Sequence, residues 1–375
     1  MSLGLTDEQR LFRAVAERFA HDAMPISNIR GRLGQPPSPE YLQRTGELGW
    51  YAAFVPTDLG GGSVSGRSVI DAAVLAEVQG AHLQPAPTVT AHLFARAVAM
   101  FGDQQTRSLL PAHCAGDAIG GFMFAETTRG WYARTAVTAE QAEDGFMLNG
   151  SVAIAIGVDT AGPFVVTASI DGAASAFVVM PGDPGVAITM LDSIDITRSM
   201  ARVRFTDVIV PPERQLTCHR SDIEQLAALA AALSSAETVG TMRRLFDMTL
   251  EYAKVRVAFG RVIGSFQAIK HLLADLSLQV ELSTAIVDEA VGALQDDRPD
   301  AVELASVTKA YVADSALDVS QGCLQIHGGI GYTWEHDLHL YLRRLAADAA
   351  LFGSAQWHRE HLWHLDQLPV GAHHG

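Results

Sequence analysis

Three histidines near the end of the chain have a spacing that suggests a metal site. His358, His361 and His364 lie three residues apart, with Glu360 among them. Imidazoles are common zinc ligands, and residues three apart share one side of a helix. Each step of three residues nevertheless drifts by about 60° around the helix, so the three rings would not converge on one ion. We therefore predict no metal site here.

Two other segments have residue types that suit a nucleotide. Phe259 follows Arg256 by three residues, which predicts that both side chains share one face of a helix, and Gly260 and Gly264 would then break that helix. Taken alone, such a segment is also typical of a surface arginine and an ordinary helix end. The glycine-rich run at His327–Gly331 does not predict a Rossmann phosphate loop, because no strand–helix unit surrounds it.

The overall composition excludes several classes of partner. The chain has 375 residues, a formal net charge of −15 and a hydrophobic content of 48%, which is ordinary for a globular protein of two or three domains. A chain this acidic repels a phosphate backbone, so we expect no nucleic-acid partner. Cys114, Cys218 and Cys323 are far apart and odd in number, which argues against disulfides and against a thiolate zinc site.

The sequence also gives no sign of a membrane protein. The longest strongly apolar stretch, Leu226–Leu233, has eight residues, whereas a membrane-spanning helix needs about 20. The start of the chain, MSLGLTDEQR, lacks the apolar core of a signal peptide. We therefore expect a soluble, cytoplasmic protein.

Three regions with different residue patterns must position these residues. Residues 1–117 have helical periodicity and open on a capping-box pattern at Thr6 and Gln9. Residues 118–220 contain short apolar runs separated by Gly, Asp and Pro, which is typical of an antiparallel β domain. Residues 221–375 return to long helical periodicity. We predict an α+β multidomain protein with a helical domain, a β domain and a second helical domain.

Several motifs along the chain, taken in order, resemble the acyl-CoA dehydrogenase family over almost the whole sequence. The most specific are RVAFGRVIGSFQAIKHLLAD at Arg256–Asp275 and QIHGGIGYTWE at Gln325–Glu335. Weaker ones are GLTDEQR at the start, VPTDLGGG at Val55–Gly62, LNG at Leu148–Gly150 and RFTDVIVPPE at Arg204–Glu213. Each motif alone is weak, and their common order and spacing carry the resemblance.

This resemblance implies a fold and a reaction. The fold would have an N-terminal helical domain, a β-barrel-like middle domain and a C-terminal four-helix bundle, usually in a tetramer. FAD would lie between the middle domain of one subunit and the bundle of its neighbour, with an acyl-CoA substrate alongside. A carboxylate would remove the α-proton, the β-hydrogen would leave as hydride to flavin N5, and the electrons would pass to an electron-transfer flavoprotein.

The resemblance also assigns FAD contacts to positions of this sequence. They are Arg256, Phe259, Gln267, Gln325, Gly329, Ser354 and Gln356. An arginine fork matches phosphate oxygens, so Arg256 takes the pyrophosphate, with Phe259 and Gln267 beside it. Gln325 and Gly329 resemble the residues that close over the adenine end, where a glycine lets the backbone approach a ligand. Ser354 and Gln356 match the family's Glu-Gly-Thr-Ala-Gln string.

The catalytic carboxylate of the family is missing from both of its usual places. The Glu of the Glu-Gly-Thr-Ala-Gln string is Phe352 here, and the alternative place early in the first bundle helix falls near Ala230. Glu224 and Glu237 bracket that alanine-rich run and are the remaining candidates for the base. A general base needs reach before it needs a tuned pKa, and both residues are also compatible with structural or solvated carboxylates.

The flavin-contacting strings of the middle domain depart from the family as well. Ala125–Trp131 replaces a Thr-Glu-Pro…Gly-Ser-Asp string, and Trp131 and Tyr132 either plug the vacant space or lie at the surface. After LNG, a Lys-x-Trp-Ile-Thr string becomes Val152–Ile156. Ile154 and Ile156 therefore stand where a Trp and a Thr would lie against the isoalloxazine ring.

These departures predict a subunit that cannot complete the reaction alone. The chain resembles the base-lacking subunit of heteromeric acyl-CoA dehydrogenases of the actinobacterial steroid side-chain type, which would complete the FAD site of a homologous partner in an α2β2 tetramer. Two alternatives are a homomeric enzyme that uses Glu224 and a non-catalytic scaffold. The alanines between Ala227 and Ala232 are compatible with a wide acyl group such as a steroid side chain, and equally with ordinary helix propensity.

Overall fold

The computed structural model describes residues 4–125, 136–158 and 162–366, and it begins with helices that pack around α4 and α5. The first helix starts at the predicted capping box: the Thr6 hydroxyl accepts from the Gln9 N–H at 3.3 Å, and the Gln9 side chain accepts from the Thr6 N–H at 3.1 Å. The helices are α1 (Asp7–Ala23), α2 (Ile26–Arg30), α3 (Pro39–Glu47), α4 (Ser68–Ala81), α5 (Thr88–Phe101), α6 (Gln104–Arg107) and α7 (Leu110–Ala115).

The middle of the chain forms one sheet with its own apolar core. Its strands are β1 (Gly121–Met123), β2 (Val137–Ala142), β3 (Gly145–Ile156), β4 (Phe164–Ile170), β5 (Ala173–Val179), β6 (Val186–Met190), β7 (Met200–Val210) and β8 (Gln215–Leu216). The order is β6-β7-β3-β2-β4-β5-β8, with β1 beside β4. Most neighbours are antiparallel, as predicted, but β4 runs parallel to both β1 and β2. Parallel neighbours need long connections, and β2 and β3 lie between β1 and β4 in the chain.

The last part of the chain is a helical bundle built on one long helix. It contains α8 (Arg220–Val255), α9 (Gln267–Gln295), α10 (Ala301–His327), α11 (Leu338–Asp348) and α12 (Ala355–Asp366), and a short hairpin of β9 (Val257–Ala258) and β10 (Arg261–Val262) joins α8 to α9. Among the described residues, no helix combines the length and the apolar character that crossing a bilayer requires.

Helix α8 is the centre of the molecule and contacts α4 closely. A Cβ on Gly240 would lie 2.0 Å from the Glu77 carbonyl oxygen, and one on Gly80 would lie 1.9 Å from that of Glu237. The two backbones therefore touch at a pair of glycines. The alanines from Ala227 to Ala232 are buried, and their small size suits close packing of α8 against its neighbours.

Candidate functional site

Three residues that the resemblance places where the family has a Trp, a Thr and a Glu line one small cavity. Ile154 and Ile156 come from β3, and Phe352 comes from the loop between α11 and α12. The cavity measures about 40 Å³, close to the space of a single water and far below the roughly 300–1,000 Å³ of ligand pockets. Its other lining residues are Thr90, Phe122, Met123, Phe124, Ala350 and Leu351. Among the residues that the structure describes, the lining contains no titratable side chain.

The loop that carries Phe352 holds this side chain in an unusual backbone conformation. Phe352 has φ +57° and Gly353 has φ +94°, and a non-glycine residue adopts the left-handed region only when its surroundings stabilise it. The Phe352 carbonyl oxygen lies 3.0 Å from Nε2 of the buried His358. The Phe352 ring packs with Ile156 and Met200, which fixes the apolar group against the sheet.

Glu237, the second candidate base, lies in a buried cluster of charges. Its Oε1 accepts from Nη1 of Arg344 at 2.6 Å and from Nη1 of Arg198 at 3.1 Å. Asp195 Oδ2 lies 2.8 Å from Nε of both arginines. Asp348 pairs with Arg198. The Glu237 carboxylate is thus already bound to two guanidinium groups and does not line the Phe352 cavity.

Lys309 completes this charged cluster and balances its charge. Its Nζ donates to the Asp348 carbonyl oxygen at 2.6 Å. The cluster then holds three cations, on Arg198, Arg344 and Lys309, against three carboxylates. Burial raises the pKa of Asp348 to about 6, although Arg198 opposes the shift, and burial lowers the pKa of Lys309 to about 8. Paired buried charges of this kind specify how elements dock, and here they join the β6–β7 connection to α8, α10 and α11.

This charged cluster was not predicted from the sequence, although the position of Lys309 indicated a buried charge. Lys309 falls on the apolar side of α10, between the buried Ala305 and Val312, and a lysine there needs a buried partner. The partners lie far away in sequence, so the pattern does not identify them.

Glu224, the other candidate base, is near the start of α8. Its carboxylate accepts from Nε of Arg220, one helical turn earlier, at 2.9 Å. It does not line the Phe352 cavity. The structure therefore offers neither candidate carboxylate the reach that proton abstraction at this cavity requires.

The prediction that Arg256 and Phe259 share a helix face is wrong. Helix α8 ends at Val255, and Arg256 is already extended with φ −69° and ψ 121°. Phe259 and Gly260 form the two-residue turn of the β9–β10 hairpin, with φ values of +53° and +78°. Such turns require positive φ at both central residues. Gly264 lies beyond the hairpin, in a helical turn packed on the Ala253 carbonyl, so neither glycine ends α8.

The hairpin presents its side chains to the outside of the chain. Phe259 is 96% exposed, and Arg256 and Gln267 are exposed as well. Within the described ranges, the Arg256 guanidinium forms no ion pair and the Gln267 amide no hydrogen bond. The Phe259 ring makes one edge-on contact, with Phe266 at 6.3 Å between centroids, and the rest of it faces outward.

Gln325 and Gly329 lie at the same end of the bundle as this hairpin. The Tyr252 ring near the end of α8 stacks on His327 near the end of α10, with centroids 4.4 Å apart. Gln325 is exposed on α10, and a Cβ on Gly329 would meet nothing within 4 Å. Five of the residues predicted to contact FAD thus lie at this end of the bundle, which we call the hairpin surface.

Ser354 and Gln356 do not belong to that surface. The Ser354 hydroxyl accepts from the Trp357 N–H at 3.2 Å and caps α12, and the Gln356 amide donates to Glu360 at 2.9 Å. Both lie within four residues of Phe352 and shortly after the end of α11. Lys309 contacts Asp348 at that end of α11. Lys309 and Gln325 are sixteen residues apart on α10, a span of about 24 Å.

The C-terminal histidines have separate surroundings. Burial lowers the pKa of His358 to about 3, and His361 stacks on Trp357 with ring centroids 5.0 Å apart. Among the residues that the structure describes, no group of three His, Cys, Asp or Glu side chains is arranged to hold a metal ion. Glu126 to Tyr132, including Trp131, lie outside the described residues.

Comparison with known proteins identifies the family. Models of the N-terminal and C-terminal domains of acyl-CoA dehydrogenases match residues 6–117 and 223–363. The acyl-CoA dehydrogenase IpdE2 of Mycolicibacterium smegmatis is 29% identical over 361 residues, covering 93% of this chain and 96% of that protein. The probable acyl-CoA dehydrogenase YngJ of Bacillus subtilis is 30% identical over 364 residues, covering 92% and 93%.

A solved structure shows the same fold. In the ChsE4–ChsE5 complex from Mycobacterium tuberculosis, one chain superposes with a TM-score of 0.88 at 24% identity, covering 99% of this chain and 100% of that one. The helical, β and helical domains described above therefore form the acyl-CoA dehydrogenase fold. This protein belongs to the acyl-CoA dehydrogenase family of oxidoreductases.

Proposed function

We propose that this chain is the subunit of a heteromeric acyl-CoA dehydrogenase that lacks the catalytic base and completes the FAD site of a homologous partner subunit. The observation that carries the proposal is the Phe352 cavity. An apolar phenylalanine and two isoleucines meet where the reaction would need a carboxylate and polar contacts to a flavin ring. Loss of one group would leave a weakened site, whereas joint loss in one cavity removes the chemistry.

The residues of this chain fit only one end of FAD. The family's enzymes typically use FAD, whose isoalloxazine ring needs far more room than a cavity of about 40 Å³. The hairpin surface, by contrast, offers the exposed Arg256 guanidinium, the Gln267 amide and the exposed Phe259 ring. These groups suit the pyrophosphate and adenine end of a cofactor whose reactive ring lies in the partner.

Each residue then has a defined part in the shared site. Arg256 pairs with pyrophosphate oxygens, Gln267 and Gln325 hydrogen-bond through their amides, and Phe259 covers the cofactor from its hairpin. The open face of Gly329 lets the backbone approach the adenine end. Bound FAD supplies the acceptor for the hydride that leaves the acyl-CoA. The partner subunit provides the base, and this chain orients and shields the far end of the cofactor.

The relatives support an assembly of two different chains. The ChsE4–ChsE5 structure is by its name a complex of two proteins, and it shares the fold over the full length. On this basis we extend the proposal to an α2β2 tetramer that dehydrogenates a fatty or steroid side-chain acyl-CoA and passes electrons to an electron-transfer flavoprotein.

Flavin content of the purified protein tests the proposal. We expect the chain to be colourless when expressed alone, and yellow and active on acyl-CoA when co-expressed with its homologous partner. Mass spectrometry of the enoyl-CoA product would identify the substrate. A flavin-loaded homomer that oxidises acyl-CoA would overturn the proposal in favour of an atypical base, and a chain that stays colourless with every homologous partner would favour a scaffold.

A pair of matched variants separates cofactor binding from assembly. Arg256→Gln in the heteromer should lower flavin occupancy at least about tenfold, because a charge-assisted pair to phosphate is lost. Arg202→Gln removes an exposed arginine from the middle sheet and should leave occupancy unchanged. Size-exclusion chromatography would show that both variants still assemble. Equal flavin content in the two would contradict the assigned role of Arg256.

A further inference from the structure

A second cavity lies between α5, α8 and the connection from α9 to α10. It measures about 200 Å³ and is lined by Arg96, Gln225, Leu229, Leu294, Asp297 and Val302, among others. This is larger than the engineered cavity of about 150 Å³ that admits benzene. None of its residues belongs to the Phe352 cavity or to the hairpin surface.

Arg96 is a cation of this cavity, and the carboxylate that acts on it, Asp297, lies in the same lining. Burial lowers its pKa, and Asp297 only partly opposes that effect. In residues 4–125, 136–158 and 162–366 its guanidinium forms no ion pair within 4 Å, and it lies over the face of the Phe54 ring, 5.4 Å from the centroid. Removing a charge from water without pairing it is unfavourable, so an anion that entered the cavity would gain by meeting it.

The other polar groups at the cavity leave this role to Arg96. Arg298 is also in the lining but is already paired with Glu289 and Asp300, both at 2.6 Å. Asp297 is exposed at the mouth, and its negative charge disfavours multiply charged anions. The Gln225 amide forms no hydrogen bond within the described segments and offers a further donor.

We propose that this cavity binds a small organic monocarboxylate, whose carboxylate pairs with Arg96 and whose apolar part lies against Leu229 and Leu294. Half of the lining is apolar in character, which an inorganic anion would not use. The volume admits a molecule of about the size of benzoate. The proposal does not depend on the heteromeric function, because no residue of the shared FAD site takes part.

Titration calorimetry with benzoate on the full chain tests this site. We expect saturable binding of one benzoate per chain, with benzamide, its neutral analogue, at least about tenfold weaker, as is typical when a charged hydrogen bond is lost. Inorganic phosphate at the same ionic strength should not compete. Equal binding of benzamide would overturn the carboxylate assignment, and displacement by phosphate would show a general anion site instead.

Variants of the two halves of the cavity complete the test. Arg96→Met should weaken benzoate binding by about tenfold or more, whereas Arg44→Met removes another arginine that lies over a ring, Phe19, and should not weaken it. Leu229→Phe keeps the charge and fills the space, and it should also abolish binding. If Arg96→Met does not fold, Arg96→Lys serves in its place with a smaller loss. Unchanged affinity in the Arg96 and Leu229 variants would overturn the proposal.

Discussion

Two buried carboxylates of this chain are bound to arginines, and the Phe352 cavity has no carboxylate among its described lining residues. Glu237 is held by two arginines and Asp348 by Arg198. Phe352 meanwhile faces Ile154 and Ile156. General-base chemistry depends on a carboxylate with a free lone pair beside the substrate. Glu237 and Asp348 are instead paired with arginines, and the cavity is lined mostly by apolar residue types.

Restoring the missing acid should therefore not restore activity. Phe352→Glu places a carboxylate in an apolar cavity without a cationic partner, so we expect it to cost about 2–4 kcal/mol of stability. If the proposed function holds, the isolated variant should remain inactive on acyl-CoA, because Ile154 and Ile156 would still replace the polar contacts to the flavin ring. Urea unfolding and a dye-reduction assay would measure both effects. Phe352→Leu, the apolar control, should cost only about 1 kcal/mol, and dehydrogenase activity in the isolated Glu variant would refute the expectation.

Phe259 should show opposite effects on stability and on cofactor binding. Its positive φ and almost complete exposure are unfavourable in the isolated chain, whereas Asn before Gly is preferred in this type of turn. Phe259→Asn should stabilise the isolated chain by about 1 kcal/mol and lower the flavin content of the heteromer. Gly260→Ala, whose φ of +78° suits only glycine, should destabilise it by a similar amount. A Phe259→Asn heteromer with full flavin would show that the ring has no ligand role.

At the scale of elements, the contact of α4 with α8 depends on two glycines. Gly240→Ala would bring a Cβ to 2.0 Å from the Glu77 carbonyl. Backbone meets backbone there, so no rotamer change relieves the clash, and we expect a loss of about 1–3 kcal/mol. Gly292→Ala in α9 is the matched control, since its Cβ would meet nothing within 4 Å and alanine favours a helix by about 0.5–1 kcal/mol. Thermal unfolding should therefore shift in opposite directions for the two variants.

The sequence predicted the order of domains well and the local ends of elements less well. The capping box at Thr6 identified the start of α1, because both of its hydrogen bonds are local. The end of α8 was placed too late, since glycines were taken as helix breakers. The two-residue pair Phe259–Gly260 between short β-type segments was itself a hairpin signal, hidden by the helical periodicity on both sides.

Some features of the candidate site could be predicted from local sequence motifs, and others depend on residues that are far apart in the chain. Substitution of Phe352, Ile154 and Ile156 was visible in the motifs, but their meeting in one cavity depends on β3 docking beside the α11–α12 loop. The charged cluster escaped prediction because Asp195, Glu237 and Asp348 are brought together only by the tertiary fold. Periodicity finds a buried face and does not tell which side chains meet on it.

For the molecule as a whole, buried neutral histidines make stability depend on pH. Burial lowers the pKa of His92 to about 4 and those of His113 and His358 to about 3. Geometry agrees for His113, whose Nδ1 accepts from the Gly120 N–H at 2.9 Å and so carries no proton. In the unfolded chain each histidine titrates near pH 6.5. A folded pKa below the unfolded one gives stability that is present above pH 6.5 and is lost as the pH falls towards 3–4.

The carboxylate of Asp348 changes stability in the opposite direction, but by less than the histidines do. The pKa of Asp348 is raised to about 6, so its protonation in the folded state adds stability as the pH falls through 6. Between pH 7 and pH 5 this gain is roughly 1 kcal/mol, whereas each buried histidine loses roughly 2 kcal/mol. Three histidines outweigh one aspartate, and the folded chain should be markedly less stable at pH 5 than at pH 7.

Urea unfolding at several pH values measures this loss, and a single variant shows its source. His113→Asn should lower stability at pH 7, because the smaller side chain loses the ring contacts with Tyr51 and Phe94, yet it should reduce the difference between pH 7 and pH 5 by roughly 2 kcal/mol. His21→Asn, which changes an exposed histidine, should leave that difference as it is. The contrary result would be that both variants have the same pH dependence of stability as the parent chain. The loss of stability at low pH would then come from carboxylates, and not from the neutral state that the Gly120 hydrogen bond imposes on His113.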